Sequence, residues 1–316
     1  LTLLFAGSAR SGALAKKYGY DEWLVGRFLQ YVPDVDKFLD KMEQPPARYI
    51  RVNTLKTRKD ALTGRLEAKG FALSGTDLAE VLRVDRAPLA TGATTEYLLG
   101  HYYIQDLSSC MAVEALGVQG GESVLDMAAA PGGKTTHIAQ RMGNTGSIVA
   151  LEPNERRART MAFNMDRLGV ANACICKIDG LRAKGLGTFD RVLLDAPCSC
   201  EGVIAKDPKR KTSHAPEDVN YCSARQEEML KAAIGATKPG GIVVYSTCSF
   251  APEENEVIVD RMVRQLGVEV EPVKHGSEGL ASFGNIEFEK SVRNTRRFYP
   301  HLHDTTGFFV ARMRVP

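Results

Sequence analysis

No stretch of this 316-residue chain approaches the apolar length needed to cross a bilayer, which excludes a transmembrane helix. Charge of one sign is scarce as well. The chain has 41 Lys and Arg against 38 Asp and Glu, a net +3, so gross electrostatics do not mark a nucleic-acid binder and any basic face must be local. Seven cysteines are scattered at 110, 174, 176, 198, 200, 222 and 248 with no CxxC pair. That spacing argues against a structural zinc knuckle or a dithiol redox motif, and no metal is expected. Neither GxGxxG nor GxxxxGK[ST] occurs, which disfavours NAD and ATP. Internal repeats and low-complexity segments are absent too. The opening LTLLFAGSARSG has no basic stretch before it, so a signal peptide is weakly supported, and the chain begins at Leu1 rather than Met. A cytoplasmic protein with reduced thiols and no membrane association is expected.

The composition, 44% apolar and 25% charged, suits one large domain and a smaller one. Residues 1–45 read as a helical segment, with Tyr20, Leu24, Phe28 and Tyr31 recurring at a helical period and Pro33 and Pro45-Pro46 as punctuation. Residues 46–104 read as a small α/β unit: strands at 48–55 and 79–84 flank a helix capped by Thr57 with Asp60 and ended by Gly70. From 105 to 316 the rhythm becomes strand, turn, helix. Strands are expected at 123–128, 147–152, 172–177, 189–197 and from Ile242 into Cys248, with a final strand in GFFVARMRV. Ser223 with Gln226 is expected to cap a helix reaching Ala236, and Pro239-Gly240-Gly241 to turn the chain. The alternation implies an α/β, doubly wound, mainly parallel sheet whose ligands sit beyond the carboxyl ends of its strands.

Acids stand at those ends. Asp126, Glu152, Asp179 and Asp195 close successive strands, and Gly132-Gly133-Lys134 makes the turn after the first. Glu152 is placed to accept ribose hydroxyls and Asp179 an adenine amino group. Packed carboxylates repel a polyphosphate, so a cationic nucleoside without phosphate, S-adenosylmethionine, meets the requirement.

Cys198 in VLLDAPCSC and Cys248 in IVVYSTCSF end two apolar runs that the crossover rule places side by side. A thiolate adding to C6 of a pyrimidine turns C5 into a carbon able to attack a sulfonium methyl, splitting one difficult step into two. An acid must engage N3, and a base must afterwards remove the C5 proton. Asp195, three residues before Cys198, reaches the same pocket. Cys110, Cys200 and Cys222 read as packed small hydrophobes.

Asp195-Ala196-Pro197-Cys198-Ser199 and Thr247-Cys248-Ser249 closely resemble the two cysteine motifs of the Nop/Sun family of RNA cytosine-5 methyltransferases. The resemblance covers nearly the whole chain and includes Tyr103-Ile104-Gln105-Asp106 and the C-terminal RFYPHLHDTTGFFVA. It implies a methyltransferase fold of the S-adenosylmethionine-dependent type with a smaller, RNA-recognition-like N-terminal domain. It implies Cys248 as nucleophile on C6, Cys198 as the aid to proton removal and Asp195 at N3. It also implies that Ala129, Ala130, Pro131, Gly132, Gly133 and Lys134, with Glu152, Arg157, Asp179 and Asp195, hold S-adenosylmethionine. Two residues depart from the family pattern: Cys200 where glycine is usual, which would restrict the loop and sit beside Cys198, and Ala128 where many relatives have cysteine. The further RNA-binding domain of some relatives is not expected within these 316 residues.

RNA is the expected partner, with tRNA favoured because the chain is similar to compact archaeal tRNA enzymes, and a monomer is expected. Ribosomal RNA is the alternative substrate. Uracil-directed and DNA-directed enzymes, and a non-catalytic RNA-binding assembly factor, are the rival readings. Lys206, Lys209, Arg210 and Lys211 on the loop after Cys198 form the sharpest basic cluster, and Arg293, Arg296 and Arg297 a second. Both are expected to meet phosphates, and Arg48 and Arg51 to extend the track over the small domain.

Overall fold

A computed structural model describes residues 7–316; the first half of the apolar opening segment lies outside the described residues. Three helices lead: α1 (Ala9–Tyr18), α2 (Glu22–Tyr31) and α3 (Val35–Met42). Ser8 starts α1 through a reciprocal capping box with Ser11. The small unit follows as β1 (Tyr49–Val52), α4 (Lys59–Glu67), β2 (Ala72–Gly75), β3 (Val81–Arg86), a one-turn α5 (Thr95–Leu98) and β4 (Tyr102–Ile104). Its four strands form an antiparallel sheet in the order β2-β3-β1-β4.

The large unit begins with α6 (Leu107–Leu116), capped by the Asp106 carboxylate. Then come β5 (Ser123–Asp126), α7 (Gly133–Arg141), β6 (Ser147–Leu151), α8 (Glu155–Leu168), β7 (Ala173–Cys176) and β8 (Phe189–Asp195). After a loop of short 3-10 turns come α9 (Pro216–Gly235), β9 (Thr237–Thr247), α10 (Glu256–Leu266) and β10 (Glu269–Glu271). Three two-residue strands follow, β11 (Ser277–Glu278), β12 (Ser282–Phe283) and β13 (Ile286–Glu287), before β14 (Arg296–Phe298), a short α11 (Pro300–His303) and β15 (Phe308–Arg314). The main sheet runs β7-β6-β5-β8-β9-β15-β14-β11, with β10 also on β15 and β12-β13 a separate hairpin. Strands β5 to β9 are mutually parallel, and β15 enters antiparallel to β9. The sheet is therefore mixed.

Successive residues of the central strands serve opposite faces. Val192, Leu194, Val243 and Tyr245 pack under α9 and α10 with Met229, Leu230 and Met262. Leu193 and Val244 pack under α6 and α7 with Met111, Ile138 and Ala139. Both faces are covered, which is why these strands read as unbroken apolar runs. A third core joins Leu24, Phe28, Phe38 and Leu39 of the leading helices to Phe250 and Tyr299. The helical segment is thus seated on the chain just after Cys248.

Several expected boundaries move. Arg58, not Thr57, precedes α4, and no side chain caps that helix. Helix α9 starts at Pro216, where the Asp218 carboxylate accepts the Ala215 N–H, so Ser223 and Gln226 lie inside it. Pro239-Gly240-Gly241 falls within β9, where the pairing with β8 shifts register between Phe189 and Arg191, and is not a turn before it. Buried groups also revise the expected RNA surface. The Arg297 guanidinium is 2% exposed and pairs with Glu256, at 0%, and it also donates to the Phe250 carbonyl. It is a structural strut, not a phosphate contact. Arg51 is buried too, and donates to Gln105 Oε1 (2.6 Å), the Gly133 carbonyl (2.7 Å) and Thr136 (2.9 Å). It fastens the small sheet to α7 and does not face RNA.

Arg297→Ala leaves Glu256 buried without its cation and is expected to lower unfolding free energy by about 3–5 kcal/mol in urea titrations. Arg10→Ala, from a pair with both side chains about 60% exposed, should change it by less than about 1 kcal/mol.

Candidate active site

The sheet reverses strand order between β5 and β8, and a crevice opens there at the carboxyl ends. In-register parallel pairing sets Asp195 of β8 opposite Ser246 of β9. Each chain then turns into its cysteine. Cys198 and Cys248 Sγ lie 2.9 Å apart, and the Cys248 N–H donates to Cys198 Sγ at 3.3 Å. The Cys200 sulfur joins them, 3.7 Å from Cys198 Sγ and 3.1 Å from the Cys198 carbonyl oxygen. Cys200 is therefore part of the thiol group and not an ordinary packing residue, whereas Cys110 is buried apart from it.

Buried acids fix this arrangement, and the sequence reading missed them. Glu254 hydrogen-bonds with the Ser199 and Ser249 hydroxyls and accepts from the Ser199 N–H (3.0 Å) and Gln226 Nε2 (2.7 Å). Glu201 accepts from the Ser249 hydroxyl (2.5 Å) and the Phe250 N–H (2.9 Å). Ser199 follows one thiol and Ser249 the other, so one carboxyl group clamps both loops. Thr247 and Asn255 bond across the same bend at 2.6 Å, and Arg27 holds Glu253 at 2.5 Å from below. The only sequence signal was the serine after each cysteine.

The three sulfurs share little charge. Hydrogen bonds from Cys198 and Cys248 hold the Cys200 thiol low, helped by Arg210 and His214. The Cys200 and Cys248 contacts, with burial, hold Cys198 high. For Cys248 the Cys198 contact favours ionisation, but the Cys200 contact and burial outweigh it and push the thiol up.

Two lobes of the crevice meet at Cys248. One, of about 310 Å³, is lined by Tyr103, Gln105, Lys134, Lys206, Thr306 and Phe308. The other, of about 430 Å³, is lined by Met127, Glu152, Pro153, Asp179, Met229 and Cys198. Ala128, Ala130, Asp195, Ala196 and Cys248 line both. Asp195 accepts from Lys134 Nζ at 2.6 Å and from the Ser246 hydroxyl at 2.8 Å. Burial disfavours the Lys134 ammonium, but Asp195 overcomes it and raises the lysine pKa.

Glu152 and Asp179 face the second lobe; Asp126 does not. Asp126 is buried beneath the turn, accepts from the Thr135 hydroxyl at 2.6 Å, and is pushed up to about 6 by burial with Asp195 nearby. The row of four acids is thus three at the cleft and one below it. The turn itself needs glycine: Gly132 has φ +98°, and a Cβ on Gly133 would come within 3.0 Å of the Tyr103 ring. Asn164 and Arg157 hold the turn from α8 by donating to the Pro131 and Ala130 carbonyls, at 2.9 and 3.1 Å, and Ala129 lies beside them in the first lobe. Both arginines of the second lobe are already paired, Arg157 with Glu152 (3.3 Å) and Arg225 with Asp179 (2.8 Å).

The expected basic cluster divides. Lys209 is exposed. Lys206 lies at the mouth of the first lobe, 3.2 Å from Asp106. Arg210 pairs with Asp207 at 3.2 Å. Lys211 is spent on Glu43 and the Tyr18 carbonyl, with only 15% of its side chain exposed, which removes it from the phosphate set. Arg296 donates to the Arg293 and Thr295 carbonyls.

Strand order and switch-point crevice together are those of the S-adenosylmethionine-dependent methyltransferase fold, here preceded by a ferredoxin-like domain. The chain belongs to the family described as 16S rRNA methyltransferase RsmB/F, whose profile matches residues 113–314, and a companion ferredoxin-like domain profile matches 20–89. A 28S rRNA (cytosine-C(5))-methyltransferase of Mus musculus is 43% identical over 95% of this chain and 39% of its own length. Ribosomal RNA small subunit methyltransferase F of Vibrio vulnificus is 38% identical over 89% of this chain and 60% of its own. The chain thus spans about two fifths of the mouse relative. Among solved structures, a methyltransferase homolog protein from Pyrococcus horikoshii superposes with TM-score 0.90 at 37% identity, covering 98% of this chain and all of its own. NSun6 from the same organism superposes at 0.81 with 26% identity, covering 96% and 97%.

Burial, with Glu201 nearby, pushes the Glu254 carboxyl up to about 8. The folded chain then holds this proton more tightly than the unfolded chain, so its contribution is full below the ordinary carboxylate range and is lost as pH rises through about 8. Urea midpoints from about pH 6 to about pH 9 should fall more steeply for wild type than for Glu254→Gln.

Proposed function

We propose that this protein transfers a methyl group from S-adenosylmethionine to C5 of cytosine in RNA through a covalent adduct between Cys248 and C6. The observation that carries the reading is the position of Cys248: it lines both lobes, with Asp195, while Cys198 lines only the lobe bearing Glu152 and Asp179. A base in the first lobe and a nucleoside cofactor in the second would meet across that sulfur.

The donor set of the second lobe fits the cofactor. Glu152 and Asp179 offer acceptors to hydroxyl and amino groups, and Met127, Pro153 and Met229 offer apolar faces. No arginine there is left over for a polyphosphate. Among the described residues no side chain caps the first turn of α7, whose N–H groups suit a carboxylate. When bound, the cofactor supplies an electrophilic methyl group. Asp195, anchored by Lys134 and Ser246, orients the pyrimidine through N3. Cys248 must lose its proton to solvent to attack. Cys198, once it has itself lost its proton to solvent, takes the C5 proton, which its raised proton affinity favours, and Cys248 then leaves as thiolate. The recessed, half-buried setting of the two thiols requires the cytosine to be turned out of any stack.

For the RNA track, the first lobe continues past Ile104, Gln105 and Lys206 into a groove along Pro45, Arg48 and Tyr49. That groove continues into a second one edged by Arg48, Arg83 and Arg86. Phosphates of an RNA strand flanking the target are assigned to Lys206, Lys209, Arg48 and Arg86. Ribosomal RNA is the substrate class that the relatives' names favour. The tRNA expectation rested on similarity to compact archaeal enzymes alone.

Cys248→Ala is expected to lower methyl transfer by about 10⁴-fold or more without trapping RNA. Cys198→Ala should accumulate a protein–RNA adduct that survives denaturing gels. An active Cys248→Ala enzyme contradicts the reading. Arg48→Ala with Lys209→Ala should weaken RNA binding and reduce the slope of log K against log salt by about 1–2, with single-turnover methyl transfer at saturating RNA little changed.

A further inference from the structure

Cys200 has no part in the reaction above, yet its conformation and surroundings are unusual. Its φ is +67°, in the left-handed region that a Cβ disfavours and glycine would occupy freely. The bend nonetheless carries a thiol and directs it to the catalytic pair. The three sulfurs all lie within 4.8 Å of one another, and they line the open lobe of about 430 Å³, so an ion has a way in.

We propose that Cys198, Cys200 and Cys248 form a binding site for a thiophilic d10 divalent cation of the zinc class, whose occupancy removes both catalytic sulfurs from the reaction. The inhibitory consequence rests on the methyl-transfer reading, whereas the site itself does not. Zinc–sulfur bonds of about 2.3 Å in tetrahedral geometry place sulfurs about 3.8 Å apart. The Cys198–Cys200 pair, at 3.7 Å, already meets that spacing. The Cys198–Cys248 pair, at 2.9 Å, must open by about 0.9 Å to reach it. The Cys248 N–H already donates to the Cys198 sulfur, as it would to a coordinated thiolate.

A second pointer is His214. Its residue is buried, and its Nε2 has no hydrogen-bond partner among the described residues. It lies within electrostatic reach of the Cys200 sulfur, as does Arg210. Binding displaces to solvent the protons of those sulfurs still held as S–H while three sulfur–metal bonds form, so affinity rises with pH. The fourth position is left for water. The site escapes any CxxC search because the third ligand lies 48 residues away along the chain, brought in by the β8–β9 register.

The test is titration of chelator-stripped, fully reduced protein with Cd²⁺ alone and with Zn²⁺ alone, followed by thiolate charge-transfer absorbance and native mass spectrometry. Wild type should bind one ion per chain at this site, with the absorbance of three thiolates. Cys200→Gly, which suits the φ of +67° and so preserves the bend, should lower affinity by at least about 30-fold. Cys174→Ser with Cys176→Ser should leave affinity unchanged. Zn²⁺ should inhibit wild-type methyl transfer reversibly by chelator, and Cys200→Gly should need at least about 30-fold more. Unchanged metal affinity in Cys200→Gly, or a wild-type product two mass units light with no bound ion, would overturn the site. Failure of the methyl-transfer reading would instead show as inactivity without metal, with binding intact.

Discussion

Parallel pairing of β8 with β9 is the constraint on which the site depends. Asp195 opposite Ser246 leaves three residues to Cys198 on one strand and two to Cys248 on the other, so two sulfurs separated by 50 positions in the chain end at one lip of the sheet. The strands alone would leave two free loop ends. Glu254 closes them by hydrogen-bonding with the serine after each thiol, and the leading helices press on Phe250 behind. A one-residue slip of β9 would send every alternate side chain to the opposite face and part the sulfurs. Rigidity here comes from buried polar pairing. Each partner lost would leave a desolvated acid, which makes the arrangement costly to disturb.

The same economy joins the two units. Arg51 lies on a strand of the small sheet but spends its donors on the Gly133 carbonyl, Thr136 and Gln105. Burial lowers its pKa to about 10, yet it stays a cation at neutral pH. Asn53 adds bonds to the Gly100 and Leu168 carbonyls, both at 2.8 Å. The glycine turn is therefore held from α8 on one side and from the ferredoxin-like sheet on the other. The small domain contributes Tyr103 and Ile104 to the first lobe and also lines the groove outside it.

Much of this was legible in the chain. Apolar runs ending in acid or cysteine are period-independent signals of buried parallel strands, and they located β5, β6, β8, β9 and both thiols. Charge was less legible. Arg297, Arg51 and Lys211 look like surface cations in a string of letters, because the carboxylates and carbonyls that claim them come from distant segments. Glu254 was invisible for the same reason, and Asp126 looked equivalent to Glu152 although one lies under the turn and the other beside the cleft. Helix starts were misplaced at Thr57 and Ser223, where a good capping residue was present but the backbone began its helix elsewhere. Taken by itself Cys200 read as filler; only the glycine usual at its place in the resembling family pointed to a restricted bend beside Cys198, where its sulfur lies.

The most direct test of the central claim is to identify which sulfur bonds to the base. RNA containing 5-fluorocytosine at the target, incubated with wild-type protein and S-adenosylmethionine, cannot lose a C5 proton and so retains its adduct. Peptide mass spectrometry of that complex should place the nucleotide on Cys248 alone. Attachment to Cys198 or Cys200, or no attachment to RNA that is otherwise methylated, would contradict the account.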